Sequence, residues 1–450
     1  MSIRPFVLAV AVLLAGASVP LAAKDHEERA PSANDAKGRG KVFQSETAGG
    51  LRYEYFVPKS YDPERGAVLT MVFHGSNLDR RWAFLNHEAG KFRPNDIVVS
   101  PDGPTPNGSG GFNFRFADKD MRAVEGLHQE LSNAFRVRRT LLYGHSQGAF
   151  FAFAFAGEHP DLVHGVLGQA GGVWIGTKAG PKHHEQAVAV LHGTADPVVS
   201  LASSAGAVKF FADAHYPKLH FRTLRDWNHW PSPPQAAQLL AWCDAMTDDD
   251  FRGVAASFDE LLAVKEDADL VARYQVARRI LDWGGGDAKV HAKAEEVVAE
   301  IDGLAARHVE AIEKSRGRNK GDKLEKKAWI GHVRLFLDQF RGIPAREAFA
   351  EEWERALKEH REKGKDAMEE YWRKRETKPA EAFVAGVDAI SRGFLASEYA
   401  DTELVEQLES WRKDARKLKI SRSDQRYFDK TVPVFVEARK AGAEAFDDVD

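Results

Sequence analysis

Short apolar runs that recur between helix-like stretches across residues 41–246 limit this chain more than any other feature. They are RYEYFV, VLTMVFHG, DIVVSPDG, TLLYGHS, HGVLGQAG, AVAVLHG and LHFRTLRD. Several are apolar almost throughout, as strands covered on both faces are, and strands alternating with helices pair mostly in parallel. The expectation is an α/β fold around a largely parallel sheet. Open sheets of this kind bind ligands beyond the carboxyl ends of their strands, so chemistry is sought in the loops that follow each run.

The pattern stops at TDDDFRG, residues 247–253. Residues 248–450 carry roughly 38 basic and 44 acidic side chains, close to 40% charged against roughly 20% before the boundary. Apolar residues recur there at helical spacing, as in Val297, Ile301, Leu304 and Ile312, or Leu404, Leu408, Trp411 and Leu418. Glycine and proline sit mostly in breaks such as WGGGD and RGIPAREA. An all-α domain of six to nine helices is expected over 254–450, joined to an α/β domain over 41–246 by a short linker at 247–253. With 450 residues, two domains are also the expectation from length.

The first residues read as a signal peptide over 1–23. One early cation, Arg4, precedes an apolar core from Phe6 to Ala15, and Ala17 and Ala23 both suit cleavage. The apolar core is shorter than the ~20 residues a spanning helix needs, so export to the periplasm or beyond the cell is expected, with no stable membrane insertion after cleavage. Residues 24–40, polar and poor in large apolar side chains, read as a disordered leader. The net charge of −4, with both signs intermixed, argues against nucleic-acid binding. Cys243 is the single cysteine, so no internal disulfide can form, and its place in AAQLLAWCDAM suits a buried, inert thiol.

The strongest chemical signal is Gly144-x-Ser146-x-Gly148 at the end of one apolar run, followed by QGAFFAFAFAGEHP with no helix breaker before Gly157. Strand, sharp turn and helix is the context of a nucleophile elbow. A serine hydroxyl needs a base, and the base needs an orienting carboxylate. LHGTADPVV supplies Asp196 and LRDWNHWP supplies His229, both just past runs, in the order serine, acid, histidine. Asp226, three residues before His229, is the rival acid. His145, His192 and His74 are read as packing or loop-holding histidines. The backbone N–H of Gln147 and a donor from His74-Gly75-Ser76-Asn77, with Ser76 preferred to Asn77, would form an oxyanion hole.

The set VFHGS, GHSQG, LHGTADPVV and NHWP resembles the α/β-hydrolase superfamily, and within it is similar to secreted esterases of the polyhydroxybutyrate depolymerase and feruloyl esterase type. YFVPKSYDPERG and VVSPDG fit the same group. The resemblance covers roughly residues 41–246 and implies Ser146 as nucleophile, Asp196 as acid and His229 as base. Members of that group often hold a disulfide near the site, which this chain cannot make. The helical half resembles no family.

A carboxylic ester hydrolase, a serine esterase without cofactor or metal, is therefore the expectation. Its substrate would be a small-molecule or polymeric ester. A serine peptidase on the same fold and a non-catalytic binding protein on a hydrolase scaffold are the rival readings. His183-His184-Glu185 lacks the i,i+4 histidine spacing of a helical metal site. The glycine-rich stretch PTPNGSGGFNFRF carries Phe112, Phe114 and Phe116, which either wall a substrate pocket or pin a surface loop. Trp227 and Trp230 flank His229 and either face that pocket or anchor packing. The helical half is a wall or stabiliser in preference to a tethered attachment module, because the junction is short.

Overall fold

A computed structural model describes residues 26–88, 91–318, 323–392 and 398–449. The proposed signal peptide lies outside them. The strands are β1 (Val42–Glu46), β2 (Arg52–Phe56), β3 (Ala67–Phe73), β4 (Ile97–Pro101), the two-residue pair β5 (Thr105–Pro106) and β6 (Phe112–Asn113), β7 (Val137–His145), β8 (Gly165–Gln169), β9 (Ala187–Gly193) and β10 (Leu219–Leu224). The main sheet runs β1-β2-β4-β3-β7-β8-β9-β10, with β1 and β2 antiparallel and the rest parallel. Each of the seven apolar runs became a strand of this sheet. β1, the interrupted VFQSE, was not among them.

The helices interleaved with the sheet are α1 (Trp82–Asn86), α2 (Asp118–Ala134), α3 (Gln147–Glu158), α4 (Leu201–Asp213) and α5 (Pro233–Thr247). Alternate residues of one strand face opposite sides. Leu69, Met71 and Phe73 join Phe151, Phe153 and Phe155 of α3 and Leu127 of α2 on one face. Val68 and Val72 join Trp82, Leu239 and Trp242 on the other. Both faces are covered, which is why the central strands carry little polar residue.

The helical half is α6 (Phe251–Ala263), α7 (Leu270–Leu281), α8 (Ala288–Arg318), α9 (Lys323–Gln339), α10 (Pro344–Lys374), α11 (Pro379–Ser391), α12 (Glu398–Lys413) and α13 (Arg422–Asp447). It begins inside the second core: Val254, Phe258 and Leu261 of α6 and Ala272, Val276 and Ile280 of α7 pack in one cluster with Leu141 and Tyr143 of β7. Two further clusters build outward, one around Phe336, Phe340 and Trp353, the other around Tyr371, Phe383, Leu408 and Phe428.

Two stretches differ from expectation. The junction is three residues long, between Thr247 and Phe251, and Asp248 within it is buried against Arg139 of β7. Arg139 also holds Asp244 of α5 at 2.7 Å, Ser257 of α6 donates to Asp244 at 3.1 Å, and Arg93 reaches both Asp96 at 2.7 Å and Glu260 of α6 at 2.9 Å. A buried ionic lattice thus binds the two halves where a linker was expected. The leader is seated over its described part, from His26 onward. Arg29 donates its N–H to Gln44 O at 2.9 Å, Gln44 donates to Glu27 O at 3.0 Å, and the Tyr55 hydroxyl donates to Arg29 O at 3.1 Å. An outer strand offers unpaired backbone groups, and β1 here binds the polar leader through them.

Candidate active site

Ser146 stands between the end of β7 and the first residue of α3, with φ 54° and ψ −122°. A positive φ at a residue with a side chain costs on the order of 1–3 kcal/mol and persists only where the surroundings enforce it. Gly144 and Gly148 are those surroundings. A Cβ at Gly144 would lie 2.1 Å from Gly148 O, and one at Gly148 would lie 2.2 Å from Phe73 O. The Ser146 N–H donates to Gln169 O of β8 at 2.9 Å, which fixes the turn from the neighbouring strand.

Asp196 is completely buried in the turn after β9. Its Oδ1 accepts the N–H groups of Val198 at 2.8 Å and Val199 at 3.0 Å, and its Oδ2 accepts from His229 Nδ1 at 2.7 Å. Despite burial, the hydrogen bond from His229 and these two amides hold the Asp196 carboxyl below the usual range. A carboxylate only accepts, so His229 carries a proton on Nδ1, and in the neutral ring this tautomer leaves the Nε2 lone pair for a general base. Asp226, the rival acid, is exposed, with φ 57° and its N–H on Thr194 Oγ1.

The neighbouring histidines have structural partners. His145 Nε2 donates to the carbonyl of His229 at 2.7 Å while its ring stacks on Trp82, and burial pushes its pKa down to about 3. It therefore supports the loop carrying His229. His74 Nδ1 donates to Gly75 O at 2.7 Å and its Nε2 accepts from the Gly103 N–H at 3.1 Å, so one neutral tautomer satisfies both nitrogens.

Gln147 opens α3, and the first N–H of a helix has no partner within it. The Gln147 side chain meanwhile accepts the Phe114 N–H at 3.0 Å. The loop after β3 passes close over the serine: a Cβ at Gly75 would lie 3.3 Å from Ser146 Cβ. The Asn77 N–H is engaged by Phe112 O at 3.0 Å and Asn113 Oδ1 at 3.1 Å, which favours Ser76 over Asn77 as a donor toward the site. Arg80 ties this loop to Asp102 after β4, through its backbone N–H at 2.9 Å and its guanidinium at 3.3 Å.

The aromatic expectations divide. Phe114 is corrected: it is fully buried against Phe73, His74 and Phe151 and cannot line a pocket mouth. Phe112 is half-buried; its backbone pairs with the loop at Asn77 and Leu78, and the Arg52 guanidinium lies over its ring at 5.5 Å. Trp230 and Trp227 are 44% and 41% exposed beside His229, joined by Trp227 Nε1 donating to Trp230 O. The sequence reading missed Trp174, in the glycine-rich loop after β8. It stacks on Phe116 at 4.2 Å and 7° and remains 48% exposed next to Ile175 at 73%. The signal was an aromatic inside GGVWIGTKAG, on the same sheet edge as the serine.

His183, His184 and Glu185 are engaged separately, with Gly157 O, Ala214 O and Lys218 respectively.

Strand order, two antiparallel strands followed by a parallel block, a strained serine after the fifth strand of the main sheet, and a carboxylate–histidine pair on the same edge now stand together. The N-terminal half has the α/β-hydrolase fold. The sequence profile of the phospholipase/carboxylesterase family matches residues 115–240, which include Ser146, Asp196 and His229. No curated protein matches the chain. Among solved structures, the chain is similar to a thermostable esterase at 20% identity, over 41% of this chain and 54% of that one, TM-score 0.33. It is also similar to a carboxylesterase from Mesorhizobium loti at 18% identity, over 43% and 93%, TM-score 0.36, and to the Bacillus cereus carboxylesterase at 16%, over 46% and 94%, TM-score 0.35.

Proposed function

We propose that the protein is an exported serine esterase that cleaves carboxylic esters through an acyl-enzyme, without a cofactor. The observation that carries this reading is the 2.7 Å bond from His229 Nδ1 to the buried Asp196, on the same sheet edge as a serine held at φ 54°. The family profile across residues 115–240 supports the ester as the bond attacked.

In this reading His229 Nε2 takes the Ser146 hydroxyl proton as Oγ adds to the ester carbonyl. The oxyanion is met by the N–H groups of Gln147 and Ser76. Collapse expels the alcohol, which takes the proton from His229. Water then adds to the acyl-enzyme with His229 again as base, releasing the acid and restoring Ser146. Trp230, Phe112 and the Trp174–Phe116 stack would contact the acyl or alcohol group of a small or polymeric ester. Export rests on the apolar segment Phe6–Ala15.

Hydrolysis of a short-to-long series of p-nitrophenyl acyl esters by the mature chain tests the proposal. Turnover should vanish in Ser146→Ala while circular dichroism and the unfolding midpoint stay unchanged. Turnover surviving in that variant would reject the serine mechanism.

A further inference from the structure

Asp196 has a second histidine. His192, at the end of β9, is completely buried, and its Nε2 lies 2.9 Å from Val199 O and 3.4 Å from Asp196 Oδ2. Its Nδ1 lies 2.7 Å from Ser204 Oγ of α4, and that oxygen is also 2.7 Å from Gly171 O. Ser204 is fully buried too. Gly171 packs behind the elbow, where an added Cβ would come within 3.0 Å of Ser146 O. One chain of contacts therefore runs from the acid turn through α4 to the back of the serine.

The protons in this chain can be counted. Carbonyl and carboxylate oxygens only accept, so Nε2 must carry a hydrogen toward Val199 O and Asp196. Ser204 has a single hydroxyl hydrogen, and Gly171 O needs it. Nδ1 must then donate to Ser204 Oγ. With Nδ1 unprotonated, either the ring lone pair meets the hydroxyl lone pairs or Gly171 O meets them, at 2.7 Å in both cases and away from solvent.

We propose that His192 is held as an imidazolium beside Asp196, and is a positioning residue for the acid–base pair. This rests on reading Asp196 and His229 as that pair. The titratable groups facing His192 are Asp196, from the acid turn, and His229, from the loop after β10. Burial, the largest influence, with the His229 ring pulls the His192 pKa below its ordinary value against the Asp196 carboxylate and the Val199 carbonyl. The charge rests instead on the two 2.7 Å contacts of Ser204 Oγ and the 2.9 Å contact of Nε2 with Val199 O, which a neutral ring cannot satisfy together. The site's one carboxylate then serves two rings. A neighbouring cation disfavours a second positive charge on His229, so the base stays unprotonated further into mild acid than an unshared pair would allow.

The test is the ring-nitrogen spectrum of the full mature chain labelled with 15N-histidine, recorded at pH 7. His192 should show both nitrogens at the protonated position. Its signals are assigned by their loss in His192→Gln or, should that variant not fold, by their displacement in Ser204→Ala. One His192 nitrogen at the unprotonated position overturns the proposal. The second readout is the pH profile of ester hydrolysis. His192→Gln and Ser204→Ala should each move the acid limb of kcat/KM upward by about one pH unit, with KM little changed. An unmoved limb in a folded variant overturns the coupling. Failure of the serine mechanism itself would appear separately, as turnover surviving in Ser146→Ala, and leaves the spectrum decisive for His192.

Discussion

His229 chooses between two aspartates, and the choice is made by burial. Asp196 sits in a turn whose amides already point at its Oδ1, so its Oδ2 is aimed at His229 Nδ1 at fixed distance. Asp226 faces solvent, where an ionic contact is worth little. Asp196→Asn should therefore lower kcat by roughly 10⁴-fold, because an amide facing Nδ1 favours the wrong tautomer. Asp226→Asn should leave kcat within about twofold of the parent, as expected of an exposed position away from the pair. Comparable losses in the two variants would reassign the acid. The burial of Phe114 has the same kind of consequence: its contribution is to the aromatic cluster under the elbow, with Phe73 and Phe151, rather than to substrate contact.

Between elements, the decisive contacts are ionic and buried. Asp244 of α5 receives Arg139 from β7, Ser257 from α6 and, at 3.9 Å, Arg93. Removing it leaves two guanidinium groups inside the fold with less negative charge to face. Asp244→Ala should cost about 3–5 kcal/mol in urea unfolding, as breaking one side of a buried pair does. Lys209→Ala, which breaks the exposed Lys209–Asp213 pair of α4, should change the same measurement by less than about 0.5 kcal/mol. Equal effects would mean that the lattice adds no more than surface charge. These contacts also mark what the sequence could not disclose. Apolar runs and the serine, acid, histidine order are local patterns, and they located the parallel strands and the candidate triad. Arg139 lies more than a hundred residues before Asp244 and Asp248, and all three look like ordinary surface charges until β7 and the end of α5 meet. β1 escaped because VFQSE lies at the sheet border, half covered, and lacks the continuous apolar character of a central strand. Trp174 escaped because loop conformation, not periodicity, brings it onto Phe116.

At the scale of the whole molecule the two halves share a hydrophobic core, and the helices of the second half complete the covering of the sheet. A chain ending after residue 250 would expose the faces of Trp242, Leu239 and Leu240 that α6 and α7 now cover. Such a truncation should be insoluble or lose cooperative unfolding, and a soluble, fully active fragment would show the halves to be independent. Both halves also bury neutral histidines. His74 and His87 on one side, and His308 and His332 on the other, have pKa values pushed down to about 4 by burial. The unfolded chain binds protons at these groups near pH 6.5, while the fold resists them until about pH 4. Their neutral forms therefore favour the fold above pH 6.5, and that advantage is lost as pH falls toward about 4. Unfolding midpoints measured across this window should decline, and the decline should be shallower when His308 and His332, 3.2 Å apart, are both replaced by leucine. An unchanged slope would remove the pair from the acid response.

The outer strands of the sheet are each occupied, β1 by the leader through Gln44, and β10 by α9 through Thr223, Asp338 and Gln339. Pairing of two copies along β1 would first require the leader to leave Gln44. Conditions that loosen residues 26–40 would therefore leave the backbone groups of Gln44 open to pairing with another strand, the usual hazard of an uncovered sheet border.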